Sequence, residues 1–168
     1  MRKQIGIMVL AWCIPSFAYT SELAPEIEGV LDGEPHEWFI LSQGNDSSAS
    51  FIELGDEVRI DITGFIDDES WDARDAISIS LTLVEDELME TDVVYLIGNT
   101  PLPPLYTSGD AQVTVSLTHY ERDSQTVHVT GRIQGVLALQ VQLDAPPSLE
   151  EGIDIDVMFD VQAQKVEF

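Results

Sequence analysis

The sequence predicts an all-β fold, namely an antiparallel β-sandwich of about nine strands, with a β-barrel as the alternative. The first observation behind this prediction is that apolar and polar residues alternate with a period of two over much of the chain. Such alternation is typical of strands with one face in a core and the other in solvent. The second observation is that turn signals rich in Gly, Pro, Asn and Asp separate these runs. The length of 168 residues suits one domain.

The alternation predicts each strand in turn. The clearest run covers residues 77–83, where Ile and Leu alternate with Ser and Thr. The other expected strands cover residues 26–31, 37–42, 49–54, 58–63, 92–97, 112–118, 127–143 and 153–162. The run over 127–143 is longer than the usual strand of about 5–6 residues. We therefore expect Gly131 and Gly135 to allow a bend or a bulge within it.

Residues 1–18 are interpreted as a cleaved signal peptide, followed by a single acidic domain over residues 19–168. Arg2 and Lys3 form a positive amino-terminal region, a short apolar run follows, and residues 16–18 (Ser-Phe-Ala) end it with small residues at −3 and −1 of a cut. The apolar run is shorter than the roughly 20 residues that a membrane helix needs, so no membrane span is expected after cleavage. The sequence thus predicts a secreted or periplasmic protein.

Cys13 is the one cysteine of the sequence and lies inside this expected leader. An uncleaved amino-terminal anchor is the alternative to cleavage, and a lipid on Cys13 is disfavoured because the bulky Trp12 precedes it. A chain cut after Ala18 has no thiol. Disulfides, thiolate-bound zinc and thiol catalysis are then excluded.

The charge excludes nucleic acid as a partner. The chain holds 31 acidic and 7 basic residues, which give a formal net charge of −24. Phosphate groups are bound by Lys and Arg, and two of the seven basic residues lie in the expected leader. Self-repulsion of this charge opposes compaction, so we expect the stability of the fold to rise with salt.

Two short segments, residues 28–38 and residues 156–161, resemble segments of small exported bacterial β proteins of unassigned function. The resemblance implies an exported single-domain β protein, and it implies no activity.

The sequence carries no strong signal for catalysis. It has no Gly-x-Ser-x-Gly motif, and its three histidines are His36, His119 and His128. His119 and His128 flank one expected hairpin, but aligning the apolar residues of the two strands predicts that these histidines point to opposite faces, which argues against a metal site. We therefore expect a non-enzymatic binding or structural/assembly module without a cofactor. A small carbohydrate-active or other hydrolase is the alternative.

Exposed aromatic side chains are the candidates for ligand binding, since flat rings stack on sugars. Trp71 lies in an acidic loop and Tyr106 in a Pro-rich loop, whereas Phe65 and Tyr120 fall on the polar face of their strands by alternation. Trp38 is expected in the core. The partner would be a sugar, a peptide or a protein, and covering of strand ends is the alternative role of these aromatics.

Five carboxylates within nine residues form the candidate metal site. They are Asp67, Asp68, Glu69, Asp72 and Asp75. Calcium and magnesium prefer oxygen ligands, so the cluster could hold Ca²⁺, although its spacing does not match the EF-hand loop. A solvated acidic loop is the alternative. A helix of a turn or two over residues 68–76, with Asp68 as its N-cap, is also expected here.

Overall fold

The computed structural model of the protein describes residues 23–166, so the expected leader over residues 1–18 and Cys13 lie outside the described residues. Within this part of the chain the fold is all-β, as predicted. The strands are β1 (Ile27–Leu31), β2 (Glu34–Trp38), β3 (Ser42–Gln43), β4 (Asp46–Ser47), β5 (Ala49–Leu54), β6 (Glu57–Gly64), β7 (Ile77–Val84), β8 (Glu87–Leu96), β9 (Leu105–Arg122), β10 (Thr126–Gln140) and β11 (Ser148–Lys165).

Nine of these strands form one large sheet in the order β10-β9-β8-β7-β6-β5-β11-β1-β2, and β3 pairs with β4 in a small second sheet. β10 also pairs with β11, so the pairings from β5 to β11 close into a ring that resembles a sandwich. Neighbouring strands are antiparallel except β5 and β11, where Ser50 and Phe51 pair in parallel with Gln164 and Lys165. The sheet is therefore mixed rather than purely antiparallel.

Most predicted strands are confirmed with shifted ends. β8 begins at Glu87 rather than at residue 92, and β9 begins at Leu105 rather than at residue 112. The strand expected over residues 37–42 is interrupted after Trp38. The reason is that the backbone of Phe39 pairs with Phe65, with N–H to carbonyl distances of 2.8 and 3.0 Å, and this attaches the segment to the end of β6.

The main core lies between the two halves of the ring. β7 contributes four inward apolar side chains, all fully buried as the alternation predicts: Ile77, Ile79, Leu81 and Leu83. Trp38, Phe51 and Phe159 are the largest buried side chains, and full burial of one apolar side chain contributes about 1.5–3 kcal/mol. The indole of Trp38 donates to the Asp75 carbonyl at 2.8 Å, so its burial leaves no unsatisfied donor.

A second, smaller core lies beneath the loop that joins β6 to β7. It consists of Leu41, Phe65, Ala76, Leu96 and Leu105. The helix expected over residues 68–76 is wrong, because turns and bends occupy this loop. Asp67 Oδ1 accepts the Glu69 N–H at 2.8 Å and Asp72 Oδ1 accepts the Arg74 N–H at 3.1 Å. Such side-chain acceptors compete with helical hydrogen bonds.

The long strand β9 consists of two parts. Residues 105–107 pair with both β8 and β10, whereas residues 112–122 pair with β10 alone in the part of the chain that the structure describes. Between these parts, residues 108–111 lie opposite the single residue Leu137, because the register of β9 against β10 shifts there. Beyond residue 107, β9 therefore leaves β8.

Among residues 23–166, the structure contains no helix that is long and apolar enough to cross a membrane.

Candidate functional site

A cleft of about 1050 Å³ lies on the outer face of β10 and β11. The side chains of His128 and Asp160 reach this face because they alternate with the buried Val127, Val129 and Val161. The loop between β6 and β7 and the segment around β3 form its walls. The lining residues are Leu23, Glu26, Ile40, Leu41, Ser42, Gln43, Asp68, Glu69, Trp71, Glu121, Asp123, Thr126, His128, Asp160, Gln162 and Gln164.

The cleft is strongly acidic. Among the described residues its lining includes six carboxylates and neither Lys nor Arg: Glu26, Asp68, Glu69, Glu121, Asp123 and Asp160. In the described part of the chain, the ion pairs of Arg and Lys lie elsewhere and join Arg59 to Asp61, Arg122 and Lys165 to Glu53, and Arg132 to Asp156. The charge of the cleft is thus not neutralised by these cations, and its concave walls focus a negative potential.

Asp123 is held in its charged form at one end of the cleft. Its Oδ1 accepts the backbone N–H groups of Gln125 and Thr126, each at 2.7 Å, and its Oδ2 accepts the Thr126 hydroxyl at 2.9 Å. The hydrogen bond from Gln125 is the largest cause that lowers the pKa of the Asp123 carboxyl below its usual range. The β9–β10 turn therefore fixes both the position and the charge of this carboxylate.

His119 and His128 lie on the same face, with ring centroids 5.0 Å apart, so the prediction of opposite faces is wrong. The reason is a bulge: β10 pairs Thr130 with His119 but the next residue, Gly131, with Leu117, which leaves Thr118 as an extra residue in β9. One extra residue reverses the side-chain alternation. With this bulge the apolar residues of β9 and β10 lie opposite one another, and the two histidines still share the outer face.

The two histidines are held by carboxylates. His128 Nε2 lies 2.6 Å from Asp160 Oδ1, and His119 Nε2 lies 3.7 Å from Glu121 Oε2. Among residues 23–166, no three His, Cys, Asp or Glu side chains are arranged to hold a metal ion. A sequence signal for the bulge was present, because the inward residues Leu117 and Tyr120 are three positions apart rather than two.

The four candidate aromatics do not form one surface. Trp71 is 45% exposed at the cleft and rests on Phe65, with ring centroids 5.6 Å apart. Phe65 is only 6% exposed, so its expected exposure is wrong, because the second core covers it. Tyr120 is half-buried against the main core, since the Thr118 bulge turns it inward, and the predicted polar-face placement is wrong. Tyr106 lies in β9 rather than in the Pro-rich loop where it was expected, and it also packs against the main core, with its ring centroid 6.3 Å from that of Tyr95.

The five carboxylates of the candidate metal site are spread along their loop. Asp67 and Asp72 accept local backbone N–H groups, and Asp75 accepts the Tyr95 hydroxyl at 2.9 Å. Burial is the largest cause that raises the pKa of Tyr95, and the Asp75 bond adds to it. Asp68 and Glu69 face the cleft instead. The calcium site and the solvated acidic loop both stay predictions for this segment.

No protein-family model, curated protein or solved structure matches this chain.

Proposed function

We propose that the protein is an exported, non-enzymatic binding module whose acidic cleft takes a basic segment of a peptide or protein partner. The observation that carries this proposal is the juxtaposition of six carboxylates, unpaired with Lys or Arg in the described chain, with the exposed ring of Trp71. Each feature is a recognition element for ammonium and guanidinium groups.

The chemistry of the cleft fits Lys and Arg side chains in two ways. Carboxylates accept charge-assisted hydrogen bonds from both cations, and Asp123 is fixed in its charged form by the turn that holds it. A cation over the face of an exposed Trp gains about 0.5–1 kcal/mol. The surrounding negative field accelerates the encounter with a basic partner, and this gain is lost in high salt.

Calorimetric titration with pentalysine tests the proposal, with pentaglutamate and cellopentaose as the acidic and neutral ligands. The variant carrying Asp68→Asn and Glu69→Gln should bind pentalysine about tenfold more weakly, and Trp71→Ala should also weaken it. The matched control carries Asp144→Asn and Glu151→Gln, two exposed carboxylates outside the cleft, and should bind like the unaltered protein. Equal losses of pentalysine affinity in both double variants would mean that the peptide is attracted by the general surface charge and not by the cleft. Binding of cellopentaose that depends on Trp71 would favour a sugar site instead.

A hydrolase is the second candidate, and one contact favours it. The 2.6 Å contact of His128 with Asp160 orients an imidazole at the cleft, as a general base requires. Turnover of p-nitrophenyl esters or glycosides that disappears in His128→Ala would establish this activity and overturn the non-enzymatic proposal. Identical background rates in the protein and in His128→Ala would argue against it.

The proposed export has its own test. The mature protein should begin at Tyr19, which amino-terminal sequencing of the secreted or periplasmic form determines. A mature chain that retains Cys13 would contradict the expected cut.

A further inference from the structure

The second half of β9 is the edge of a sheet. The pairing of β8 with β9 ends at Thr107, and the next residue breaks the ladder. The Val93 N–H donates to Ser108 Oγ at 2.7 Å, and Ser108 Oγ donates to Asp92 Oδ1 at 3.1 Å. A side chain thus satisfies the Val93 donor at the point where β8 and β9 separate, and among residues 23–166 the segment 112–122 of β9 pairs on one side only, with β10.

The backbone groups on the other side of β9 point away from β10. The carbonyl oxygens of Gln112 and Ser116 lie against Gly135 and Gly131 of β10, so these residues direct their backbone groups into the existing pair. Successive residues of a strand direct these groups to opposite sides. Val113, Val115 and Leu117 therefore present their N–H and C=O groups at the open edge.

The apolar core is incomplete along the same edge. In β10 the inward residues Val127, Val129 and Ile133 are fully buried. The inward side chains of β9 that pack against them are only half-buried: Val113, Val115, Leu117 and Tyr120. The Tyr120 hydroxyl is buried without a hydrogen-bond partner among the described residues. Unpaired backbone groups, half-covered apolar side chains and an unsatisfied hydroxyl thus occur along one strand.

This edge also lacks the protection that strand edges usually carry. Native edges are kept from pairing by charged side chains, proline or short length. Residues 111–118 contain neither a charge nor a proline. The facing strand β8 carries Glu87, Glu90 and Asp92, which pair in register with the outward residues Val84, Thr82 and Ser80 of β7 and so point outward.

We propose that the edge of β9 from Val113 to Leu117 accepts an extended strand of another polypeptide, in which apolar side chains alternate with basic ones. The apolar side chains would cover Val113, Val115 and Leu117, since residues directly opposite on neighbouring strands share a face. The basic side chains would face outward, toward the carboxylates of β8. A second copy of this chain is disfavoured as the occupant, because its own formal net charge is −24.

Hydrogen exchange followed by NMR tests the edge in the free protein. The amides of Val113, Val115 and Leu117 should exchange at least about tenfold faster than those of Gln112, Thr114 and Ser116. Equal protection of both sets would overturn the proposal for the monomer. If light scattering then finds a dimer, the occupant is a second copy of this chain.

A ten-residue peptide of alternating Val and Lys is the probe for the occupant. It should slow exchange at the three edge amides, whereas a peptide of the same composition in two blocks, and one of alternating Val and Glu, should not. Val115→Pro removes one edge donor and should weaken binding about tenfold, while Val115→Ala keeps that donor and serves as the control.

The cleft variant carrying Asp68→Asn and Glu69→Gln separates this site from the cleft, since it should leave protection of the β9 amides unchanged. If the alternating peptide fails to protect these amides, or protects them only when the cleft is intact, the strand-acceptor proposal is overturned. Neither result affects the binding of pentalysine to the cleft.

Discussion

Gly131 is a position where a single added methyl group is expected to destabilise the core. Its neighbours in register are Leu117 of β9 and Phe159 of β11. A β-carbon at this position would stand 2.9 Å from Phe159 Cε1, closer still to Cζ of that ring, and 2.7 Å from the Ser116 carbonyl oxygen. The ring is fully buried and the carbonyl faces β10, so neither neighbour has room to withdraw.

The expected cost of Gly131→Ala follows from this crowding. Overpacking of a filled core by one methyl group costs about 1–3 kcal/mol. For a chain of this size, each kcal/mol lowers the melting temperature by about 2–4 °C. We therefore expect a decrease in melting temperature of about 2–12 °C, with a parallel decrease in the denaturant midpoint at unchanged slope.

Thermal unfolding by circular dichroism measures this effect, with Gly98→Ala as the matched control. A β-carbon at Gly98 would meet no atom of the described residues within 4 Å, so that variant should stay within about 0.5 kcal/mol of the unaltered protein. In a Phe159→Leu background the smaller side chain leaves space, and Gly131→Ala should cost less there than alone. Equal melting temperatures for the two glycine variants would refute the packing of Phe159 against Gly131 and the register that places them together.

Four further predictions concern polar and charged groups. Tyr120→Phe removes a buried hydroxyl without a partner among the described residues, so urea denaturation should find the variant more stable by about 1 kcal/mol; a loss of stability would mean that the hydroxyl is satisfied. The melting temperature should rise with sodium chloride, because the formal net charge is −24 and salt screens its self-repulsion; a flat curve would contradict this. Calcium should raise the melting temperature no more than sodium does at equal ionic strength. A saturable extra rise with calcium that is lost with Asp72→Asn and Asp75→Asn would establish the candidate cation site instead. The pKa of Asp123 is lowered by folding, so its stabilising contribution is present above the ordinary carboxyl pKa and is lost as pH falls through the folded value. The stability deficit of Asp123→Asn should accordingly shrink as pH falls from neutral to below the ordinary carboxyl pKa of about 4, and a constant deficit would contradict the assignment.

The sequence predicted those features that depend on local alternation. In β7 the buried face is Ile77, Ile79, Leu81 and Leu83, as the pattern requires, and β11 buries its expected face in the same way. Gly131 was expected at a bend or bulge, and a register shift occurs next to it, although the extra residue belongs to β9.

Features that depend on contacts between distant parts of the chain could not be predicted from local alternation. Phe65 directly follows β6, and continuing the alternation of that strand places its side chain on the outward face. Leu41 and Leu96 from other segments nevertheless bury it. His119 and Tyr120 were assigned to the wrong faces, since the single extra residue Thr118 reverses the alternation beyond it. The cleft itself combines the outer face of β10 and β11 with a loop at residues 68–71, which only the tertiary fold brings together.

Entry of a basic ligand into the acidic cleft beside Trp71 is tested most directly by a two-dimensional NMR titration of the mature protein with pentalysine. The signals to observe are the indole N–H groups of Trp71 and Trp38. The Trp71 signal should shift with saturation, together with the backbone amides of Asp123, His128 and Asp160. The Trp38 signal should stay in place, because its fully buried indole donates to the Asp75 carbonyl. Small shifts scattered over all acidic surfaces, with an unchanged Trp71 signal, would contradict entry into the cleft.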